Sequence, residues 1–219
     1  MKRISILIMA LLAMAGNAFA EDKALVKDFA IVPGKTTMAE IVLSNPDAQY
    51  TAIQVDLYLP NGLELTTEGD DYKYELSRVS NSHSLSIGKQ SGYYRIVLSS
   101  SKSEVLTGNS GKVIGLSIKA NASLAKGTLN GSLKNVKIAK ADGSGWIYNE
   151  VPFQISVVES IKGDANSDGE VDERDLKAII RHIMGDTPDD FDEDAADLNG
   201  DKKVNAADIV MLIDLLGKQ

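Results

Sequence analysis

Apolar and polar residues alternate through Thr51-Ala-Ile-Gln-Val-Asp-Leu-Tyr-Leu59, the two-residue period of a strand with one buried face. Similar stretches run through Ala39–Leu43, Tyr93–Ser99, Lys112–Lys119, Leu133–Ile138 and Val151–Val157. Turn signals separate them: Asn45-Pro46-Asp47, Pro60-Asn61-Gly62, Glu68-Gly69-Asp70, Gln90-Ser91-Gly92 and Asp142-Gly143-Ser144-Gly145. Many short strands with regular turns predict an antiparallel sandwich or barrel. No long segment of helical period precedes residue 170.

The period then changes. Leu176, Ile179, Ile180 and Ile183 fall on one helical face, ended by Gly185. Ile209, Val210, Leu212, Ile213 and Leu216 form a second, ended by Gly217. The join at Val158–Lys162 carries no Pro, Gly or Ser tract, which predicts a fairly fixed arrangement of two parts.

At the start, basic Lys2 and Arg3 precede an apolar run over Ile4–Ala15, and Ala18-Phe19-Ala20 is a small-x-small triplet. This is the pattern of a signal peptide cleaved before Glu21; the run is too short for a membrane anchor. The expected organisation is a signal peptide over 1–20, a β-sandwich over 21–158 and a small α module over 159–219. Export implies a secreted protein, extracellular or periplasmic, with no membrane span after cleavage.

Composition narrows the chemistry. The 219 residues include no Cys and two His, which excludes disulfides, thiol nucleophiles and Cys-based zinc sites. Net charge is −8, so there is no basic footprint for nucleic acid. The charge is also localised. Residues 21–162 hold fifteen acidic and fifteen basic side chains, whereas residues 163–219 hold sixteen and six. That asymmetry marks an acidic tail or a cation-binding module.

The acidic part contains a repeat. Residues 164–175 read Asp-Ala-Asn-Ser-Asp-Gly-Glu-Val-Asp-Glu-Arg-Asp, and residues 197–208 read Asp-Leu-Asn-Gly-Asp-Lys-Lys-Val-Asn-Ala-Ala-Asp. The offset is 33 residues. A hard cation such as Ca²⁺ takes six to eight oxygens, and a twelve-residue loop offers them at alternate positions, with a backbone carbonyl at the seventh and an acid at the twelfth. Loop one supplies Asp164, Asn166, Asp168, the Glu170 carbonyl, Asp172 and Asp175. Loop two supplies Asp197, Asn199, Asp201, the Lys203 carbonyl, Asn205 and Asp208. Val171 and Val204 are expected to meet across the loops. The plain alternative is a solvated acidic tail with Asx turns. Two loops in matched register, each entering an amphipathic helix, favour two bound Ca²⁺ ions over it. Mg²⁺ is disfavoured because it seldom uses all-protein cages.

The doubled motif Asp-x-Asn-x-Asp-Gly-x-Val-Asp-x-x-Asp-Leu and Asp-x-Asn-Gly-Asp-x-x-Val-Asn-x-x-Asp-Ile, over Gly163–Lys218, resembles a type I dockerin. The resemblance implies an EF-hand-like module built on two calcium ions that binds cohesin modules in extracellular, often polysaccharide-degrading, assemblies. Contact positions carried over from that family are Glu173, Arg174, Ile180 and Arg181 in repeat one, and Ala206, Ala207, Ile213 and Asp214 in repeat two. Glu173-Arg174 and Ala206-Ala207 differ from the small polar pairs common in dockerins and from each other, which counts against a symmetric dual binding mode. Against the calmodulin-type loop there are three departures: Asp stands at position twelve, no entering helix precedes loop one, and position six is Gly169 in one loop but Lys202 in the other.

The β part is similar to a cohesin in Ile53–Leu59 with Pro60-Asn61-Gly62-Leu63-Glu64, in Gly111–Lys119 and in Asn149–Phe153. The resemblance implies a nine-stranded jelly-roll; a carbohydrate-binding module of related fold is the near competitor. The implied function is a non-catalytic, calcium-dependent assembly protein. Its dockerin meets a cohesin-bearing protein, and its sandwich receives a dockerin or plays a related adhesive role. The alternative is a carbohydrate-binding accessory protein, with Trp146, Tyr148, Tyr72, Tyr74, Tyr93 and Tyr94 as stacking candidates. A dockerin fitting the sandwich of an identical chain would assemble head to tail, since the short join makes folding back within one chain hard. No enzyme is expected. Glu64, Glu68, Asp70 and Asp71 read as a solvated turn, His83 as an exposed residue and His182 as facing solvent or the partner. Thr107–Lys112 lacks phosphate-loop spacing.

Overall fold

The structure, a computed structural model, describes residues 22–218; the expected signal peptide lies outside the described residues. It is mostly β, with three short helices at the C-terminal end.

The extended stretch after Asp22 splits into β1 (Lys23–Val26) and β2 (Phe29–Ile31). Then come β3 (Thr36–Ser44), β4 (Ala52–Tyr58) and β5 (Leu63–Leu65). A small ribbon, β6 (Thr67–Glu68) with β7 (Asp71–Tyr72), precedes β8 (Tyr74–Leu76). The long strands follow: β9 (His83–Gln90), β10 (Tyr93–Ser100), β11 (Lys112–Ala120), β12 (Gly127–Ala139) and β13 (Gly145–Val157).

One sheet has the order β1-β3-β11-β5, with β8 also on β11; the other runs β2-β13-β12-β4-β10-β9. Every pairing is antiparallel except β2 on β13. Because β1 and β2 enter different sheets, the N-terminal stretch stitches the two layers together. The described residues thus hold thirteen strand segments, more than the nine expected. The difference comes from this split and from the short pieces β5–β8 along the sandwich edge.

Alternation works as the sequence implies. Val151, Phe153, Ile155 and Val157 of β13 are buried and the residues between them exposed. They meet Ile53, Val55 and Leu57 of β4, Ile96 and Leu98 of β10, and Ile114, Leu116 and Ile118 of β11 in one core. Gly131 lets β12 pass the Phe153 ring, since a Cβ there would stand 2.3 Å from Cζ.

Polar groups in this part are spent on structure. Asp56, on the outer face of β4, is buried but satisfied by two Arg95 bonds of 2.7 and 2.8 Å and by Asn135 Nδ2 at 2.8 Å. The Arg95 hydrogen bonds hold its carboxyl below the usual range. Asn135 stands in the left-handed region (φ 49°) at the β12 bulge, where Asn is tolerated. Segment 107–112 turns carbonyls rather than N–H groups toward a cation: Arg78 takes the carbonyls of Thr107, Gly108 and Gly111. That is the wrong polarity for a phosphate. His83 is half-buried at the start of β9, not exposed, with Nδ1 3.0 Å from Ser80 Oγ.

The C-terminal part has α1 (Glu173–Ile183), α2 (Glu193–Ala196) and α3 (Ala206–Leu216) around a second, small core of Ala165, Ala178, Ile179, Ala196 and Leu212. Val171 and Val204 pack half-buried against it and form no strand pair. The expected helix faces are rotated in part. Ile180 and Ile183 on α1, and Val210 and Ile213 on α3, point outward. His182 is half-buried: it stacks on Phe191 at 4.4 Å and bonds Thr187 Oγ1 at 3.0 Å.

Candidate functional site: paired acidic loops

Loop one follows the turn at Gly163; loop two follows the single turn of α2. The two fold alike, except that Gly200 N donates to Asp197 Oδ1 at 2.9 Å whereas Ser167 N donates to the Asp164 carbonyl at 3.4 Å. Asp164 Oδ1 accepts from Asp168 N at 3.0 Å, and Asp197 Oδ1 from Asp201 N at 3.1 Å. Their Oδ2 atoms accept from the next amide, Gly169 N at 3.0 Å and Lys202 N at 2.9 Å. Asn166 Oδ1 takes Asp168 N at 2.9 Å, and Asn199 Oδ1 takes Asp201 N at 2.8 Å. Asp168 and Asp201 accept from the amides of Glu170 and Lys203, at 3.0 and 2.9 Å. The twelfth residues reach back across each loop: Asp175 takes Asn166 N (3.1 Å) and Asp172 N (2.7 Å), and Asp208 takes Asn199 N (3.2 Å) and Asn205 N (2.9 Å).

This pattern explains the sequence. Carboxylates at positions one and twelve close the loop onto its own amides. Asx-type bonds at positions three and five shape its middle. Position nine ends the loop as a helix cap: Asp172 accepts from Arg174 N at 2.6 Å and Asn205 from Ala207 N at 2.9 Å, each within a capping box completed by the twelfth residue.

Backbone strain is shared between the loops. Position six is left-handed in both, at Gly169 (φ 88°) and Lys202 (φ 65°). So is position four, at Ser167 (φ 56°) and Gly200 (φ 75°). Each loop therefore has one glycine and one non-glycine in a conformation that favours glycine. Lys202 bears this strain in loop two, and loop one carries its counterpart at Ser167.

The electrostatics ask for a cation. Asp164, Asp175, Asp197 and Asp208 are buried. Burial, with Asp175 next to it, pushes Asp164 up to about 7, and burial raises Asp175 as well. Arg174 partly offsets this from outside: it pairs with Asp168 at 3.0 Å, with Asp172 at 2.8 Å and with Glu170. Its hydrogen bond holds Asp172 below the usual range. The donor chemistry is all oxygen and mixed, with carboxylates, an Asn amide and carbonyls in each loop, which fits a hard cation. Among the described residues no three acidic or His side chains form a metal-sized cluster by themselves; the Asn and carbonyl oxygens would have to complete either site.

The eight expected contact residues, Glu173, Arg174, Ile180, Arg181, Ala206, Ala207, Ile213 and Asp214, are all exposed. Arg174 is engaged by its own loop, Arg181 by Asp186 at 2.9 Å and Asp214 by Lys218 at 2.5 Å. Sequence reasoning missed the apolar surface around them: Ile183 and Met184 at the end of α1, and Val210, Met211 and Leu215 on α3. A count of outward apolar positions on each helix would have found it.

The aromatic candidates separate. Tyr148 is half-buried and donates its hydroxyl to the Asp22 carbonyl. Tyr72 packs edge-on against Tyr94 at 5.7 Å, and Tyr93 stacks on Tyr58 at 5.1 Å. Trp146 remains 54% exposed beside Ile147 on β13, and Tyr74 is 40% exposed.

Comparison with known proteins agrees with both parts. The sandwich is similar to a non-cellulosomal cohesin from the archaeon Archaeoglobus fulgidus (14% identity, TM-score 0.50, covering 64% of this chain and 92% of that one). It is similar to a chain from the complex of the sixth cohesin of Acetivibrio cellulolyticus scaffoldin B with a Cel5 dockerin (14%, 0.51, covering 63% and 99%). It also resembles a chain from a type I cohesin–dockerin complex of Clostridium thermocellum (11%, 0.51, covering 63% and 99%). At these identities the likeness establishes the fold: the N-terminal part is a cohesin-like β-sandwich. Residues 162–217 match the dockerin type I domain family, and this chain therefore carries a type I dockerin domain behind that sandwich. No curated protein matches the chain. Type I dockerins bind calcium and are assembly modules, not catalytic ones. Among the described residues no helix is long and apolar enough to cross a membrane.

Proposed function

We propose that this chain is a secreted, non-catalytic assembly protein whose dockerin binds two calcium ions and docks to a cohesin, within an extracellular polysaccharide-degrading or adhesive complex. The observation that carries the reading is the repetition of six backbone-to-side-chain bonds at the same positions of the two loops. A tail of Asx turns has no reason to repeat in register or to bury its first and last carboxylates.

In this reading the ions are held by Asp164, Asn166, Asp168, the Glu170 carbonyl and Asp175, and by Asp197, Asn199, Asp201, the Lys203 carbonyl and Asp208. Asp172 and Asn205 already cap helices, so they act through water. Calcium would neutralise the buried carboxylates, and folding would be linked to binding. The partner then meets the exposed face of α1 and α3. The sandwich offers a flat outer face on β4, β10 and β12, where Lys134 lies 5.0 Å over the Tyr58 ring and Arg95 5.7 Å over that of Tyr93. Arg95 is tied to Asp56 and Lys134 to Glu150 at 3.4 Å, so this face offers a dockerin, including that of another copy, stacked rings more than free charge. Such a contact is heterologous and grows into rings or open chains.

Binding of the full chain to cohesin modules of the same organism, and to itself by light scattering, tests this. Docking is expected with millimolar calcium and lost in chelator. No cohesin binding and a monodisperse monomer in calcium would sink it. The glycan alternative keeps Trp146 as its one well-exposed ring near the β12–β13 turn; Trp146→Ala is expected to leave docking intact.

Proton competition supplies a further prediction. Asp164 must be ionised to bind calcium, and it sits near 7 without the ion. Below that value each calcium bound at loop one displaces a proton, so affinity falls up to about tenfold per pH unit. Titration calorimetry at pH 6 in buffers of different ionisation enthalpy should show proton release; none would contradict the role of Asp164.

A further inference from the structure

The dockerin touches its own sandwich, and does so through loop one, not through its helices. The Thr37 hydroxyl on β3 is buried and donates to the Gly169 carbonyl at 2.8 Å. The approach is close: a Cβ on Gly169 would stand 2.1 Å from the Thr36 carbonyl oxygen and 2.6 Å from Thr37 Cα. Ser167 borders the cleft that Gly34, Lys35 and Thr36 line from the sandwich side. Loop two differs. Its own glycine, Gly200, has open space where a Cβ would go, and Asp201 and Lys202 are exposed.

The join is held at both ends. Val158 N donates to the Ile31 carbonyl at 3.0 Å, which extends the β2–β13 pairing. Lys162 Nζ donates to the carbonyls of Asp194 and Asp197, at 2.5 and 2.8 Å, where α2 ends and loop two begins. A five-residue join that leaves the sandwich edge and enters the module at Gly163 brings loop one, and not loop two, against the start of β3.

The stretch that touches the sandwich is also the stretch that would grip an ion. Ser167 and Gly169 alternate with Asp168 and Glu170, whose oxygens belong to the loop-one donor set. Both contact residues hold left-handed backbone, the conformation a bound ion would fix. We infer that loop one is a calcium-set latch: calcium there completes a docking surface for the Thr36–Thr37 end of β3 and fixes how the dockerin is carried on the sandwich. Loop two fills without that effect. The helices α1 and α3 then stay free, held at a set orientation for a partner. The inference rests on the calcium reading above. By linkage, the latch tightens calcium at loop one by the same factor that calcium tightens the latch.

The test uses the full chain, ¹⁵N-labelled and titrated with calcium chloride. The amides of Thr36 and Thr37 are expected to shift as loop one fills, and the Val158–Lys162 join to become resistant to limited proteolysis. Asp164→Ala removes both responses and Asp197→Ala keeps them. Thr37→Val lies outside the loop and keeps the β-branched shape. It is expected to weaken calcium at loop one roughly two- to tenfold, the range for one hydrogen bond, and to leave loop two unchanged. If the titration shows no bound calcium, the calcium reading and the latch fall together. If both loops fill while Thr36, Thr37 and the join do not respond, or Thr37→Val leaves loop one unchanged, the latch is wrong and the calcium reading stands.

Discussion

Chelation of calcium is expected to unfold the dockerin and leave the sandwich folded. The reason is the ratio of core to buried charge. The buried apolar residues of the module are Ala165, Ala178, Ile179, Ala195, Ala196 and Leu212, four alanines among six side chains. Against it stand Asp164, Asp175, Asp197 and Asp208, buried with no pairing cation, and a net excess of ten acidic groups over residues 163–219. So small a core rarely supplies more than about 3–5 kcal/mol, and buried charges cost several kcal/mol each unless compensated. Far-ultraviolet circular dichroism should therefore lose the signal of the two eleven-residue helices in chelator, while the sandwich keeps its own thermal transition. The double variant Asp164→Ala, Asp197→Ala should show the same single transition even in calcium. Acid should partly rescue the chelated module. Asp164 folds with its value raised to about 7 from the usual 3.8, so between those values the folded state holds a proton that the unfolded chain has lost. Stability in chelator then falls as pH rises through that window and is greatest below it. A module that keeps its helices in chelator at pH 7.5 would show that calcium is not part of its fold.

The legible parts of the molecule are those where one residue's environment repeats down the chain. The run Val151–Val157 has a strict period of two because β13 has one face on the core along that length. The acidic loops were legible because each side-chain oxygen meets an amide a fixed distance away in sequence. What was not legible depends on partners far along the chain. β1 and β2 are four and three residues long, and only their partners, β3 and β13, decide that they enter different sheets. On α1, Ile180 and Ile183 looked like core, yet Ala178 and Asp175 take the inward positions beside Ile179. The reason is that α1 and α3 pack closely over small residues and over the loop carboxylates, which an apolar count does not weigh. The left-handed backbone at position four escaped notice because Ser167 occupies it in one loop and Gly200 in the other, so neither loop alone signals it.

Ile213→Asp is expected to weaken docking to a cohesin roughly a hundredfold, about 3 kcal/mol. The argument starts from what each repeat shows to solvent. Repeat one presents Glu173, an Arg174 tied to Asp168 and Asp172, and an Arg181 tied to Asp186, so its exposed Ile180 sits among satisfied charges. Repeat two presents Ala206 and Ala207 with no charge of their own, then Val210 at 65%, Met211 at 43% and Ile213 at 52% exposure on α3, with one charged pair, Asp214 and Lys218, at its end. A flat apolar surface of small and branched side chains can be desolvated cheaply, and an uncompensated carboxylate placed in it cannot. Exposed Ile213 supports no core, so its change should move stability by less than about 0.5 kcal/mol, and calcium binding should be unaltered. Ile180→Asp should cost less, because Ile180 is the less exposed of the two at 38% and its sequence neighbour Arg181 already carries an ion pair with Asp186, although Ile183 and Met184 add apolar surface further along α1. The pair of variants, measured by calorimetry against one cohesin in calcium, thus reads the asymmetry of the two repeats. Equal losses would mean that both helices meet the partner alike, in the symmetric mode that the unlike pairs Glu173-Arg174 and Ala206-Ala207 argue against. No loss in either would move the docking surface off the helices altogether.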